Sequence, residues 1–473
     1  MSSHPAASVA QALTRFIEGL REPYFPDASP RIAVALSGGL DSMVLLDLAA
    51  DHVRAHGGVL FAFHVHHGLS PNADAWRDHC AASAAALDIP FDTRAVAVDK
   101  GRSGIEAAAR KARYAALGAM CRAHGVDLLL TAHHQDDQAE TVLLQLLRGS
   151  GASGLSGMDG ANRAPALLGD ERLVMGRPLL AHARAELEAH ARQRGIAWVE
   201  DESNADPRYT RNALRHQVMP VLDQLFPGFQ GRIARSSLHV QSARRLLDEL
   251  AAQDLAACLD GDGLDLARLR SLSIDRINNL LRHWFAVRRL AMPSTALLAQ
   301  MVAQTLSARE DAQLLVAHPE CEVRRHRDRL YLVPRLPDLA GMRDPYDAGI
   351  IEKYAQAFRW EGQGSIAFPD YGGVLYFDGA EHGFDAAWLR AQPLEIDFRK
   401  GGEKLKLAAN RPTRSLKQLF QASGVPAWER TRLPIVGNGA DLLFAAGLGM
   451  DCRHLGAGPG RIALRWESTV APV

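Results

Sequence analysis

The chain of 473 residues is too long for one ordinary core, so two to four domains are expected. Hydrophobic residues at 47% and charged residues at 23% exclude wholesale disorder and fibrous architecture. Its 54 basic and 54 acidic side chains cancel, so binding to a polyanion must rest on local basic surface.

Five cysteines, Cys80, Cys121, Cys258, Cys321 and Cys452, show no CxxC pair and no regular spacing, which argues against a zinc knuckle or a disulfide framework. Reduced thiols in a cytoplasmic protein are expected. The opening MSSHPAASVAQALTRFIEGL has no apolar core behind a basic segment, and no other apolar run approaches about twenty residues. Neither secretion nor membrane spanning is expected.

Up to about residue 220, short β-branched apolar runs alternate with helical patterns. Strands are predicted at RIAVAL (31–36), VLFAFHV (59–65), FDTRAVAV (91–98) and VDLLLTA (126–132), with a weaker one at RLVMGRPL (172–179). Helices are predicted at DSMVLLDLAADHVRAHG, ADAWRDHCAASAAALDI, GIEAAARKARYAALGAMCRAHG and QDDQAETVLLQLLRG. This alternation predicts an α/β fold with a mostly parallel sheet covered on both faces. Ligands of such sheets sit at the carboxyl ends of the strands, where SGGLDS, HVHHGLS and TAHHQDDQAET all fall. Three segments thus converge on one crevice.

RGSGASGLSGMDGANR (148–163) reads as a mobile functional loop, and DESNADPRYTRNALR (201–215) as a turn entering a helix. Residues 221–335 are rich in Ala, Leu and Arg and are expected to be mainly helical. Residues 336–392 read as a linker or a continuation of that domain, and 393–473 as short strands around a basic helix. No internal repeat is evident.

The chemistry begins in ALSGGLDSMV (35–44). Gly38 and Gly39 let backbone amides point inward, and the helix starting near Asp41 presents its positive dipole end. Ser37 and Ser42 can donate to phosphate oxygens. The loop lacks the lysine of GxxxxGK[ST], and Asp41 would repel a bare phosphate, so a bridging Mg²⁺ on a departing pyrophosphate is implied. The plain alternative is a glycine turn between strand and helix.

A second cluster, His133, His134, Asp136, Asp137 and Glu140, spans a strand end and a helix start. Helical spacing puts Asp136 and Glu140 on one face with Asp137 beside them. A helix N-terminus carrying acids, worth about 0.3–1 kcal/mol per charge, and a zinc site are the alternatives. His64 and His66 share a strand face, where a base could stack or a histidine could be satisfied in the core or by solvent.

SGGLDS closely resembles the pyrophosphate loop of the N-type ATP pyrophosphatases, which split ATP between its α- and β-phosphates. Further segments are HVHHGLSPNADAW (64–76), EAAARKARYAAL (106–117), TAHHQDDQAETVLLQLLRGSGASGLSGM (131–158), DESNADPRYTRNALR, FRKGGEKLKL and RSLKQLFQASGVPAWERTRLPIV (398–436 for the last two). In this order they resemble the tRNA(Ile)-lysidine synthetases over most of the chain. The resemblance implies a PP-loop domain at 1–220, a tRNA-contacting domain at 221–335 and a small α+β tRNA-binding domain at 393–473. It also implies ATP- and Mg²⁺-dependent attachment of L-lysine to the wobble cytidine of tRNA(Ile) with a CAU anticodon, by a monomer or homodimer.

In that reaction the cytosine carbonyl oxygen must be adenylated before the lysine ε-amine attacks, which calls for an electrostatic clamp and a proton acceptor. Ser37, Gly38, Gly39, Leu40, Asp41 and Ser42 are the candidates for ATP and pyrophosphate, with Asp41 bridging Mg²⁺. Asp137 is assigned to the lysine ammonium or the metal, and His133 to charge stabilisation or proton transfer. His66, Asp136 and Glu140 are further candidates for lysine or base. Arg113, on a helix with Arg110 and Lys111, is assigned to the lysine carboxylate or the ATP phosphates, with a solvated basic face as the alternative. Arg208, Arg211 and Arg215 could grip RNA backbone or only cap and decorate a helix.

Residues 399–432 hold nine basic side chains against two acidic ones, the clearest polyanion patch in a neutral chain. Lys400, Lys404, Arg414 and Lys417 are its candidate tRNA contacts. Rival readings fare worse: a tRNA thiolase relative would need paired cysteines, an amidotransferase a glutaminase cysteine, and an NAD synthetase-like ligase no basic C-terminal region. A non-catalytic RNA-binding protein would have no use for Asp41 beside two glycines.

Overall fold

The computed structural model describes residues 9–26, 29–66, 68, 70–97, 105–200, 210–307, 315–335, 355–439 and 441–469. The chain divides into two units, Met1–Leu247 and Asp248–Val473.

In chain order the first unit contains α1 (Val9–Tyr24), β1 (Ile32–Ala35), α2 (Leu40–His56), β2 (Leu60–His66), α3 (Ala73–Ala86), β3 (Phe91–Ala95), α4 (Ile105–His124), β4 (Leu128–Leu130) and α5 (Gln135–Leu147). Then come α6 (Ala152–Leu155), β5 (Ala161–Arg163), α7 (Pro165–Leu168), β6 (Val174–Gly176), α8 (Arg184–Arg194), α9 (Thr210–Ala213), a π-helical turn at Leu214–Val218 and α10 (Met219–Leu225). The 30-residue α11 (Phe229–Cys258) begins in the first unit.

The sheet has the order β3-β2-β1-β4-β6-β5, parallel except for β5, which pairs antiparallel with β6. Its short apolar runs are continuous because both faces are covered. Ile32, Val34, Leu128 and Leu130 join the core that includes α1 and α2, while Ala33 and Leu129 join the core containing Tyr114, Leu117 and Met120 of α4. The order of strand addition reverses between the parallel neighbours β1 and β4, so a crevice opens at their carboxyl ends, the place where open α/β sheets bind ligands. The loop after β1 and the start of α5 both lie there.

The glycine-rich stretch departs from the expected mobile loop: residues 152–155 are helical, 161–163 pair with β6, and side chains from several elements fix the backbone between them.

The second unit carries helices at Leu266–Arg270, Ile274–Val287 and Thr295–Ser307. Alongside them is a five-stranded antiparallel sheet, in the order Leu259–Asp260, Gly263–Asp265, Arg329–Pro334, Cys321–His326, Leu315–Ala317. The sequence reading included the helices and not this sheet. Its central hairpin turns at Arg327-Asp328 with Arg327 at φ 53°, lacking the glycine or asparagine that marks such turns, and Arg325 takes an inward strand position. Beyond residue 354 the unit is β-rich, with sheets of five, three and two strands and a short helix at Leu416–Ala422.

Candidate active site

The loop after β1 is shaped by glycine. Gly38 has φ 85°, and a Cβ there would stand 3.0 Å from Val199 Cγ2 and 3.2 Å from Cys80 Sγ, so both conformation and space demand glycine. The Val199 N–H donates to Gly38 O (3.0 Å), fastening the loop from outside. Gly39 caps α2 without a side chain, which leaves the first-turn amides directed at the crevice mouth. Leu40 is buried, so only its backbone faces a ligand.

Ser42 differs from expectation. Its hydroxyl is buried, donates to Gly39 O (2.9 Å), accepts from the Ser37 N–H (3.2 Å) and lies 3.0 Å from Ser37 Oγ. It braces the loop from within, and Ser37 is the serine exposed to a ligand.

His134 joins this loop to α5. Its Nε2 lies 3.6 Å from Asp41 Oδ2 and 3.4 Å from Asp137 Oδ2, and its Nδ1 3.5 Å from Asp136 Oδ2. The same residue caps the helix, its backbone N–H donating to Asp137 Oδ2 (3.1 Å). Burial alone would lower the imidazole pKa, but the close Asp136, Asp41 and Asp137 carboxylates raise it to about 10. Burial would likewise raise Asp136 and Asp137, yet His134 holds both below the ordinary carboxylate value. Asp136 also accepts from the Arg184 N–H (2.9 Å) at the start of α8.

Glu140 does not share the acids' outlook. It is completely buried and receives Arg211 Nε at 2.7 Å and Arg215 Nε at 2.6 Å, while the two Nη2 atoms reach Asp137 Oδ1 at 3.3 and 3.1 Å. This corrects two expectations: Glu140 is wholly enclosed and cannot meet lysine or base, whereas the Asp137 side chain keeps 13% exposure, and Arg211 is committed to these acids instead of to RNA. Arg208 lies outside the described residues.

His133 sits 3.0 Å from Thr131 Oγ1 through Nδ1. The Thr131 hydroxyl also lies 3.4 Å from Gly176 O, so it links His133 to the end of β6. Burial, reinforced by Arg177, Arg110 and Arg211 and partly offset by Asp137, pushes its pKa down to about 3. It is a neutral imidazole near pH 7.

On α4 the electrostatic neighbour of His133 is Arg110, and both Arg110 and Arg113 lie over the Tyr114 ring, at 5.0 and 5.3 Å. His64 is a core histidine: it is buried, and its Nδ1–H donates to Leu36 O (2.9 Å). His66, at the end of β2, lies 3.4 Å from Asp74.

The sequence reading gave no role of its own to His134 or Arg177, and it took Arg215, with Arg208 and Arg211, for a grip on RNA backbone; like Arg211, Arg215 is committed to Glu140 and Asp137. A signal for Arg215 was present: acids three apart at 137 and 140 match arginines four apart at 211 and 215.

Among the described residues no group of three or more His, Cys, Asp or Glu is arranged to hold a metal, so the zinc alternative lacks a ligand set there. Asp41 Oδ1, in contrast, is buried and has no hydrogen-bond partner, which suits a hard cation arriving with a nucleotide.

In the second unit, Lys400, Lys404, Arg414 and Lys417 are all exposed. Lys404 and Arg414 lie on a two-stranded ribbon, Lys417 follows at the start of the short helix, and Lys400 pairs with Asp397 at 2.9 Å. Phe420, by contrast, is a core residue.

Residues 8–222 match a PP-loop domain, 264–331 a TilS substrate binding domain and 394–466 a TilS substrate C-terminal domain. A tRNA(Ile)-lysidine synthase of Ralstonia nicotianae is 44% identical over 436 residues, 91% of each chain. One of Burkholderia pseudomallei is 44% identical over 475 residues, 94% of this chain and 95% of that one. One of Alkalilimnicola ehrlichii is 42% identical over 429 residues, 90% of this chain and 91% of that one. No helix among the described residues is long and apolar enough to cross a membrane. With the pyrophosphate loop, the His134 bridge and this likeness over nearly its whole length, the chain belongs to the ATP-using tRNA(Ile)-lysidine synthase family.

Proposed function

We propose that this chain ligates L-lysine to the wobble cytidine of a CAU-anticodon tRNA(Ile), converting ATP to AMP and pyrophosphate and changing the codon read from AUG to AUA. The observation that carries this reading is the His134 imidazole between Asp41 and Asp137, which makes the loop and the acidic helix start one site. The product named for the relatives supports the choice of substrates.

In the first step the cytosine carbonyl oxygen attacks the α-phosphorus, the bond to the β-phosphate oxygen breaks, and pyrophosphate leaves. Backbone N–H groups of residues 38–41, at the positive end of α2, stabilise the charge gathering on that leaving group. Ser37 adds a hydroxyl donor. Asp41 Oδ1 would hold the Mg²⁺ that accompanies ATP, an ion that offsets phosphate charge when bound.

In the second step the lysine ε-amine bonds to the activated ring carbon and AMP departs. Asp137, kept ionised by His134 and the arginine pair, attracts the incoming lysine ammonium. Neutral His133, too weak a base at a pKa of about 3 to keep the amine's proton, orients the attacking amine by hydrogen bonding, and the protons the ammonium gives up pass to solvent. Arg110 and Arg113 form the basic rim for the lysine carboxylate or the ATP phosphates.

The exposed basic patch on the second unit holds the tRNA away from its anticodon. The protein works in the cytoplasm as a monomer or homodimer, a setting consistent with five free cysteines.

The test is incorporation of labelled lysine into a CAU-anticodon tRNA(Ile) transcript, with AMP and pyrophosphate followed in parallel. Release that requires both tRNA and lysine is expected. Release in the absence of RNA would replace this reading with a small-molecule ligase.

A further inference from the structure

Residues 156–160 run between α5, α11 and the end of β6, and side chains from all three bind their backbone. Gln138 grips Met158 at both polar atoms: its Nε2 donates to Met158 O (3.0 Å) and its Oε1 accepts from Met158 N (2.8 Å). The same Nε2 donates to Ser237 Oγ on α11 (3.1 Å). From α11, Gln241 Nε2 donates to Ser156 O (2.8 Å) and Met158 O (3.1 Å), and Arg244 Nη1 to Ser156 Oγ (3.1 Å). After β6, Arg177 donates through Nη1 to Asp159 O (2.7 Å) and through its backbone N–H to Gly160 O (2.7 Å).

Gln138, Gln241, Ser237 and Ser156 are all buried, where an unpaired polar group is costly. Apolar contacts could fasten a loop at lower risk. What paired amides add is direction, because hydrogen bonds fix register as well as proximity. Gly157 has φ 64°, and a Cβ there would stand 2.8 Å from Gln138 Nε2, so this position is kept clear for the amide.

Gln138 immediately follows Asp137 in α5. We propose that Gln138 is a positioning residue for lysine transfer: by locking α5 to the Met158 backbone and to α11, it fixes where Asp137 stands against the pyrophosphate loop. Gln241 supports it by holding the same carbonyl from the other side. The inference rests on the functional reading above, with Asp137 receiving the lysine ammonium.

The experiment is steady-state lysine ligation by the full chain, using tRNA(Ile) transcript, ATP and labelled lysine, for wild type, Gln138→Leu, Gln241→Met and the double variant. A displacement of about 1 Å can cost about 100-fold in rate. In each single variant kcat/KM for lysine should fall by at least about 10-fold, while the KM for ATP and the Kd for tRNA stay within about twofold. Both glutamines act through Met158, so the double variant should lose about as much as the more damaging single variant and not the product of the two losses.

Unchanged kcat/KM for lysine in soluble, folded variants overturns the inference, as do fully additive losses or equal losses toward ATP. Should Gln138→Leu fail to fold, Gln241→Met carries the test, since it keeps its volume and touches no group assigned to the chemistry. A wild type that ligates no lysine overturns the functional reading and this inference with it; an active wild type with unaffected variants overturns this inference alone.

Discussion

His134 Nε2 stands 3.6 Å from Asp41 Oδ2 and 3.4 Å from Asp137 Oδ2, so a single imidazole spans the loop after β1 and the helix after β4. Three carboxylates within reach of one buried ring would repel each other without a cation among them. The imidazolium supplies that cation before any substrate arrives.

His134 therefore has a pH-dependent place in stability. Its folded pKa, about 10, exceeds the ordinary 6.5, so its contribution is complete below about pH 6.5 and disappears as pH rises through 10. Asp136 and Asp137 are held below 3.8, so theirs is present above that value and disappears as pH falls beneath it. Urea unfolding of wild type and His134→Gln should differ most between about pH 4 and 6.5 and converge toward pH 10. A difference as large at pH 10 as at pH 6 would show that the ring acts only by packing.

Asp41 is the carboxylate whose Oδ1 lacks a partner, and it lies in the first turn of α2. Asp41→Ala should stop AMP and pyrophosphate formation while leaving tRNA affinity largely intact. Filter binding beside a pyrophosphate assay separates the two. Loss of tRNA binding together with adenylation would show that the loop has a different task.

Much of this geometry was readable in the sequence, because the strand ends of an α/β sheet declare themselves by apolar runs followed by polar clusters. SGGLDS and TAHHQDDQAET fall where β1 and β4 end, and their convergence follows from the strand order. Partner choice was not readable. Arg211 and Glu140 are 71 residues apart, and nothing local says that one will be spent neutralising the other. Ser42 illustrates the same limit at short range, since spacing shows a hydroxyl near a phosphate loop but not which way it turns. The antiparallel sheet in the second unit escaped for a third reason: its inward Arg325 and its glycine-free turn obscure the alternation that marks a strand.

Glu140 is buried between two guanidiniums that are each about a third exposed, so removing it strands two cations beside Asp137. Breaking a fully buried pair costs about 3–5 kcal/mol, and the partial exposure of the arginines places this one toward the lower end. Glu140→Ala should therefore lower stability by about 2–3 kcal/mol and reduce lysine ligation, with Glu140→Gln recovering part of the stability through one retained acceptor. Chemical denaturation of the three proteins checks this. Equal stability of the alanine and wild-type proteins would mean that water already screens the arginines.

The basic patch makes a prediction about salt. Lys404, Arg414 and Lys417 are exposed, and no ion pair is formed by any of them among the described residues. Lys400 differs, being paired with Asp397, so part of its charge is already offset. If these side chains meet RNA phosphates, each contact releases counterions, and the slope of log affinity against log salt should become shallower by about 0.7–0.9 for each charge removed. Alanine at Lys404, Arg414 and Lys417 together should then flatten the slope by about 2–3 and weaken binding at low salt, while Lys400→Ala should have the smaller effect. All four are distant in sequence from the loop and acid cluster, so kcat at saturating tRNA should stay near the wild-type value. Affinity measured across a salt series gives both quantities. An unchanged slope in the triple variant would assign the tRNA contact to other residues.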